Sequence, residues 1–485
     1  MAGITYAKHQ LECSAFAASR PGSISAMSTG TGKSVTSMLT MFRLLEAGKA
    51  EKCLMCATKG SMPEIVGDFQ NFYNYTPFHI YDNLSMEEFF KSERNIGIFR
   101  YEYFKRIPPD NFRYFLHNHK NALFIDEAQK LKNSGTQAHK YIKSIREQVD
   151  YFNLMTATPL MTSLDDLYTL MHLVDPRVLG EYKDFTKLYY EQELVPRYAG
   201  LANKRCKTCR SKMFFMSNGV LKCPRCGRTA RIQCKYETIS YKNMDILSSK
   251  LRQYMYCFYP KQDINYIVYK TQMFDFKKYI NIAHDIFNEN QTPHSTRMIE
   301  LQRCTSQDIN KIKLLAKVVK DVIHEGCIIY CAYLDSVAIV EGLLDAMGIP
   351  HQSITGSSDD EDRALTKEWF KNGAEGKVLI LTAAGGASLN LQVTPHFIFY
   401  ELPWGVGAFM QAIGRICRMF SKYKKFFIHF ITAEHTIDEY KYEIDASYKS
   451  LTEGLLNNQY LPSGTLPDYN KKLIADLRRD LCWYY

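Results

Sequence analysis

The stretch "SISAMSTGTGKSVTSMLTMFRLLEAG" (residues 23–48) constrains the fold more than any other part of the chain. "SISAM" reads as a short strand, and "VTSMLTMFRLLEAG" carries helical periodicity and stops at Gly48. Between them, "MSTGTGKS" has the residues of a phosphate-binding turn. Thr29, Gly30, Thr31 and Gly32 let backbone N–H groups face phosphates, Lys33 supplies a cation, and Ser34 supplies a hydroxyl for Mg²⁺. Met27 stands where the strict pattern has its first glycine. Such a loop needs a strand before it and a helix after it, and repetition of that unit makes a parallel α/β sheet.

A loop of this kind requires a second anchor at the end of a buried strand. "NALFIDEAQKLKN" (residues 121–133) supplies an apolar run followed by Asp126 and Glu127. Asp126 is suited to hold Mg²⁺ and Glu127 to polarise a water; a helix start would favour the same two acids for electrostatic reasons alone. Short apolar runs alternate with helical patterns in two separate parts of the chain, so two parallel-sheet units are expected. A length of 485 residues agrees, being too much for one ordinary core. No apolar run reaches the roughly 18–20 residues of a membrane span, and "MAGITYAKHQ" lacks the apolar centre of a signal peptide. Most of the 14 Cys are scattered singly in apolar runs, as with Cys53 and Cys327, which fits a reducing, intracellular setting.

In order along the chain, "DEAQKLKN" and "FNLMTATPLMTSLDDLYTLMHLVDP" (152–176) resemble the superfamily 2 helicases and translocases, within them the SNF2/Rad54-like group. "CLMCATKGSMPEIVGDFQNF" (53–72) and "IGIFRYEYFKR" (96–106) are similar to that group's DNA-contacting motifs. "GCIIYCAYLDSVAIVEGLL" (326–344), "VLILTAAGGASLNLQVTPHFIFYELPW" (378–404) and "QAIGRICR" (411–418) resemble its motifs IV, V and VI. The resemblance implies two RecA-like lobes and an ATP-dependent motor. It assigns Arg415 and Arg418 to the ATP γ-phosphate; three apart, they would share a helix face. It assigns Gln10 to the adenine, Gln411 to the nucleotide, Thr156 and Thr158 to coupling, and Thr58, Lys59, Thr382 and Asn390 to the DNA backbone. Where the group often carries an Arg-rich stretch before its second lobe, this chain has "LRQYMYCFYPKQDI".

One segment stands apart. Cys206, Cys209, Cys223 and Cys226 form C-x₂-C-x₁₃-C-x₂-C, the spacing of a structural Zn²⁺ ribbon with four thiolates and no open position; Cys234 is a spare. The chain carries a net +10, and residues 204–235 hold ten Lys and Arg with no Asp or Glu, so the rest balances to zero. A local basic excess points to nucleic acid. "KMFF" in the same segment is read either as base-stacking aromatics or as the ribbon's own small core, and the insert itself either as a DNA grip or as a dock for replication or recombination proteins.

The expected layout is a first lobe over 1–180, a helical linker region over 181–294 carrying the ribbon at about 204–235, a second lobe over 295–450 and a tail over 451–485. The expected activity is ATP-dependent DNA translocation or unwinding, of the compact kind that includes phage-encoded fork and recombination remodellers. An RNA-directed motor and a non-enzymatic nucleic-acid clamp are the alternatives.

Overall fold

Strands covered on both faces read as near-continuous apolar runs, because neither side meets water. The structure, a computed structural model, describes residues 5–160, 163–196, 205–216, 220–260, 262–288, 294–385, 391–418 and 421–442. Asn390 and the expected tail lie outside the described residues. The strands are β1 (Gly22–Met27), β2 (Lys52–Ala57), β3 (Phe78–His79), β4 (Ile96–Arg100), β5 (Asn121–Ile125) and β6 (Tyr151–Thr156), then β7 (Tyr190–Pro196), β8 (Phe214–Met216), β9 (Val220–Lys222), β10 (Thr229–Arg231), β11 (Cys234–Tyr241) and β12 (Met255–Phe258), and finally β13 (Asp263–Thr271), β14 (Cys327–Tyr330), β15 (His351–Ile354), β16 (Val378–Leu381), β17 (His396–Phe399) and β18 (Lys425–Ala433).

Thirteen of them form two parallel sheets, as expected. The first has the order β12-β1-β6-β5-β2-β4-β3, the second β13-β18-β17-β14-β16-β15. Alternate residues serve opposite faces. Cys53, Met55, Ala122 and Phe124 pack under the helices Lys33–Glu46 and Met62–Tyr73, while Leu54, Cys56, Leu123 and Ile125 join the opposite core with Phe89, Phe112, Ile142 and Leu167. In the second sheet Ile329 and Ile380 face one core, Ile328 and Leu379 the other. Emptying one such position, for example Phe124→Ala, costs about 3–5 kcal/mol.

The stretch 181–294 is not a separate linker. Its strand β12 pairs in parallel with β1, Ile24 opposite Met255 through Met27 opposite Phe258, so the first lobe closes only after the ribbon. Strand β13 pairs with β18 over nine positions and belongs to the second lobe. The two sheets therefore divide near 259–262. A four-residue run such as "MYCF" has too few positions to show a period, and its place on the sheet edge depends on β1.

The ribbon grows out of the first lobe on a two-stranded antiparallel stalk of β7 and β11. The stalk is rooted rather than tethered. Tyr189, Tyr190 and Tyr241 are buried at its base, and Tyr190 donates to Asp165 Oδ1 at 2.7 Å on the helix Leu164–Val174. At its far end β8, β9 and β10 make a small antiparallel sheet.

Candidate active site between the two lobes

In a parallel sheet every strand ends on the same edge. The loops after β1, β5 and β6 are neighbours there, since β6 lies between β1 and β5. The loop after β1 turns through Gly30 (φ 75°) and Gly32 (φ 81°), both in the left-handed region that side chains disfavour. Thr31 Oγ1 donates to Ser28 O at 2.7 Å and Lys33 Nζ to the same carbonyl at 3.2 Å, so the loop is held shut around its own start. Ser34 follows as the second residue of the helix. Gln10 and His9 brace the turn from below. His9 Nε2 lies 2.9 Å and Gln10 Nε2 3.4 Å from Thr31 O, and a Cβ on Gly32 would strike Gln10. Gln10 thus carries a packing role that its spacing did not reveal.

After β5, Asp126 is buried and Glu127 adopts a left-handed backbone (φ 50°). Burial and the adjacent Glu127 push the Asp126 carboxyl up to about 7, while Lys33 and a hydrogen bond from Ser61 oppose the shift. Burial lowers the Lys33 ammonium in turn; Glu127 and Asp126 raise it, and Arg418 and Arg415 lower it further. A buried carboxyl beside a second carboxylate favours a hard divalent cation, so Asp126 with Ser34 fits Mg²⁺. Two residues that the sequence reading left without a role complete this floor. Ser61 ties the turn before the helix Met62–Tyr73 to Asp126. Gln129 donates to Glu127 Oε2 at 2.5 Å and accepts from Thr156 Oγ1 at 2.7 Å, and Thr156 Oγ1 in turn accepts from the Thr158 N–H at 3.0 Å. Glu127 is thus wired to the loop after β6. The signal was present in "DEAQ", as the fourth letter.

The second lobe supplies the opposing wall. Arg415 and Arg418 are not on a helix, as their spacing implied: the helix Val406–Ile413 ends first, and both arginines lie in the turns beyond it. Ile416 and Cys417 are buried between them and fix which residues point outward. Arg418 packs directly over the phosphate loop, so that a Cβ on Gly30 would fall 2.5–2.8 Å from its Cβ, Cγ and Cδ. Gly414 lies equally close to Thr29. Burial and Arg418 bring Arg415 down to about 10, with Glu127 and Glu64 acting against the shift. Glu64 also pairs across the seam with Lys367 at 3.2 Å. Gln411, Thr382 and Arg415 line one cavity of about 50 Å³ on the second lobe's side.

The expected DNA-contacting residues lie nearby in different states. Thr58 is buried in a turn, exchanging hydrogen bonds with Ser61, and Lys59 beside it is exposed. Thr382 Oγ1 accepts from the Gly385 N–H at 3.2 Å.

Comparison with known proteins bears on this arrangement. A family model described as "SNF2-related domain" matches residues 24–294, more than half of the chain, and one described as "Helicase conserved C-terminal domain" matches 310–420. The chain belongs to the SNF2-related family. This SNF2-related chain is 26% identical over 342 residues to the Bacillus subtilis (strain 168) protein named "Uncharacterized ATP-dependent helicase YqhH", covering 66% of this chain and 57% of that one. It is 21% identical over 388 residues to "DNA repair and recombination protein RDH54" of Saccharomyces cerevisiae (strain ATCC 204508 / S288c), covering 74% of this chain and 39% of that one. It therefore spans less than two thirds of the length of either relative. A solved structure, "Sulfolobus solfataricus SWI2/SNF2 ATPase core in complex with dsDNA", is 14% identical, with 94% of this chain and 93% of that chain covered and a TM-score of 0.40.

The SNF2-related core carries the ribbon as its addition. The four Cys sulfurs lie within 4.8 Å of one another, with Sγ–Sγ distances of 3.3 Å (Cys209–Cys223), 3.5 Å (Cys206–Cys226) and 3.8 Å (Cys209–Cys226). Four thiolates at about 2.3 Å from a tetrahedral Zn²⁺ would stand about 3.8 Å apart, so the set fits zinc. The two halves repeat one knuckle. Arg210 N–H donates to Cys206 O at 2.9 Å and Gly227 N–H to Cys223 O at 3.0 Å, and both Arg210 and Gly227 are left-handed. Cys234 stands outside the group, its thiol directed at Ile232 O. Within "KMFF", Met213 is buried with Leu221, Cys206 and Cys223 in the ribbon's own core, whereas Phe214 is exposed. All eight described basic residues of the ribbon, from Arg205 to Arg231, are exposed.

Among the described residues no helix is long and apolar enough to cross a membrane.

Proposed function

We propose that this chain is an ATP-driven motor that tracks along DNA and remodels forked or branched DNA in replication, recombination or repair, acting inside the cell. One observation carries the reading. Lys33, Asp126 and Glu127 of one lobe and Arg415 and Arg418 of the other form a single electrostatic cluster, each shifting the ionisation of another. Two folded units have little reason to crowd three cations and two carboxylates at their seam unless a polyanion with its metal is the third component. The name of the yeast relative, a DNA repair and recombination protein, supports DNA as the track.

In this reading the loop N–H groups and Lys33 hold the β- and γ-phosphates, and Ser34 and Asp126 hold Mg²⁺. When bound, the ion would supply positive charge against the phosphate oxygens. Glu127, held by Gln129, orients the attacking water and takes its proton. Arg415 and Arg418 reach the γ-phosphate only when the lobes are together, and such arginines are worth roughly 10³–10⁵ in rate. Hydrolysis is thereby tied to closure, and closure to movement of whatever the lobes grip. Thr58, Lys59, Thr382 and Asn390 are the proposed grips on the DNA backbone, with the ribbon, held by structural Zn²⁺, as a further one. Replication or recombination proteins are further candidate partners of the ribbon.

The test is an ATPase and strand-displacement panel over single-stranded, duplex, forked and four-way DNA and matched RNA. Stimulation by DNA, and its loss in Lys33→Ala, is the expected result. Stimulation by RNA alone, or turnover above a tenth of wild type in Lys33→Ala, would overturn the reading.

A further inference from the structure

We infer that the outward sheet face of the ribbon is a binding site for unpaired nucleobases, with Phe214 as the stacking platform and Lys222 and Arg231 holding the flanking phosphates. The inference rests on the motor reading above and specifies what the ribbon would grip.

The register of the small sheet places these side chains together. Phe214 on β8 stands opposite Lys222 on β9, which stands opposite Thr229 on β10. Two residues along each strand, Met216 is opposite Val220, which is opposite Arg231. Residues two apart on a strand share a face, so both rows face the same way. Leu221, midway along β9, faces the other side and is fully buried with Met213, Cys206 and Cys223 around the zinc thiols. The ribbon's own core is thus complete without Phe214, which stays 59% exposed, and Met216, which stays 43% exposed. Lys222, Thr229 and Arg231 are exposed beside them.

Charge and shape together select the occupant. Residues 204–235 contain no acid, so the face attracts a polyanion. A duplex would satisfy the charges but leave the aromatic ring without a complement, because duplex bases are stacked inside. A single strand offers phosphates and free base faces at one spacing. The stalk that carries this face is bonded through Tyr190 to Asp165, on the helix that follows Thr156 and Thr158. The platform is thus carried by the same lobe as the phosphate loop.

The experiment measures anisotropy of labelled single strands of about a dozen nucleotides on the full-length chain, across a salt series. The strands are DNA and RNA, each also made with abasic residues throughout. Wild type should bind base-bearing strands at least about fivefold tighter than abasic ones. Phe214→Ala, with zinc content verified by metal analysis, should erase most of that preference and leave the salt slope unchanged. Lys222→Ala with Arg231→Ala should weaken all strands alike and flatten the slope by about 0.7 per lost contact. A Phe214-dependent preference in the DNA arm, the RNA arm or both upholds stacking and identifies the strand. No preference in wild type, or a preference retained in Phe214→Ala, overturns it. If the double variant still flattens the slope in that case, the ribbon is a phosphate clamp or an acidic-protein dock and the motor reading stands. If it does not, the ribbon's part in the DNA grip falls as well, while the ATPase panel still judges the motor.

Discussion

Replacing Gly414 by Ala should separate the folding of the second lobe from its closure onto the first. Gly414 has φ −62° and ψ −3°, a conformation open to any residue. Within its own lobe the change is therefore permitted, and it should stabilise by about 0.4–1 kcal/mol through the unfolded chain. Across the seam it is not permitted. A Cβ at Gly414 would fall 2.7 Å from Thr29 Cβ and 2.9 Å from its Cγ2, and closer still to Oγ1. Carbon atoms pack at about 3.5–4.0 Å, so the lobes must part by about 1 Å. Rotating Thr29 does not remove the clash, because its Cβ is fixed to the backbone. Arg415 and Arg418 retreat with the loop, and a misplacement of about 1 Å costs on the order of 10²-fold in turnover. The assay is phosphate release at saturating ATP and DNA, beside thermal melting. We expect an unchanged or raised melting temperature, a rate about a hundredfold lower, and partial recovery in the Thr29→Gly, Gly414→Ala double variant. A rate above a tenth of wild type, or a double variant no faster than the single one, would refute the reasoning.

Glu127→Gln keeps the shape but cannot accept the proton, so turnover should collapse while nucleotide binding on a filter assay persists; loss of binding as well would make Glu127 a structural residue. Replacing Cys223 and Cys226 by Ser should release zinc and unfold the ribbon alone, since so few residues build no core without metal. The DNA concentration for half-maximal ATPase should then rise with the saturated rate little changed, and an unchanged value in a zinc-free protein would argue against a DNA grip. His429 is a pH probe of the second lobe. It is 2% exposed, its Nε2 lies 3.1 Å from His396 Nδ1, and burial and His396 push it down from 6.5 to about 4. The fold thus favours neutral imidazole, and the unfolded chain binds the extra proton between those values. Stability is full above about 6.5 and falls as pH drops toward 4, by about 3 kcal/mol overall and about 2 kcal/mol between pH 7 and 5. His429→Gln should shrink the acid-side loss measured by denaturant titration; an identical slope would rule the group out.

What was legible in the sequence was local. Gly30 and Gly32 announce a turn that only they enter easily, the unbroken apolar runs at 53–57 and 378–381 announce strands buried on both faces, and the repeated C-x-x-C announces a metal knuckle. In each case the backbone conformation or the periodicity resides within a few consecutive residues. Other features had no such signature. Nothing near Met255 says that it will extend the sheet edge beside Ile24, and nothing near Glu64 names Lys367 as its partner. Gln129 looked like part of a motif until it was seen bridging Glu127 and Thr156. The resemblance assigned Thr58 and Thr382 to the DNA backbone, and the fold adds that each hydroxyl also bonds within its own turn. Arg415 and Arg418 were identifiable as a pair, but their spacing implied a helix face, and the real chain reaches the phosphate loop because Gly414 lets it approach Thr29. Contacts such as Glu64 with Lys367 and Gly414 with Thr29 are set by where the two lobes come to rest, joined by one buried cluster that runs from Leu54 and Phe89 to Tyr279, Leu301 and Ile437. That position is the sum of many weak contacts between residues hundreds apart, and no local period or turn propensity encodes it.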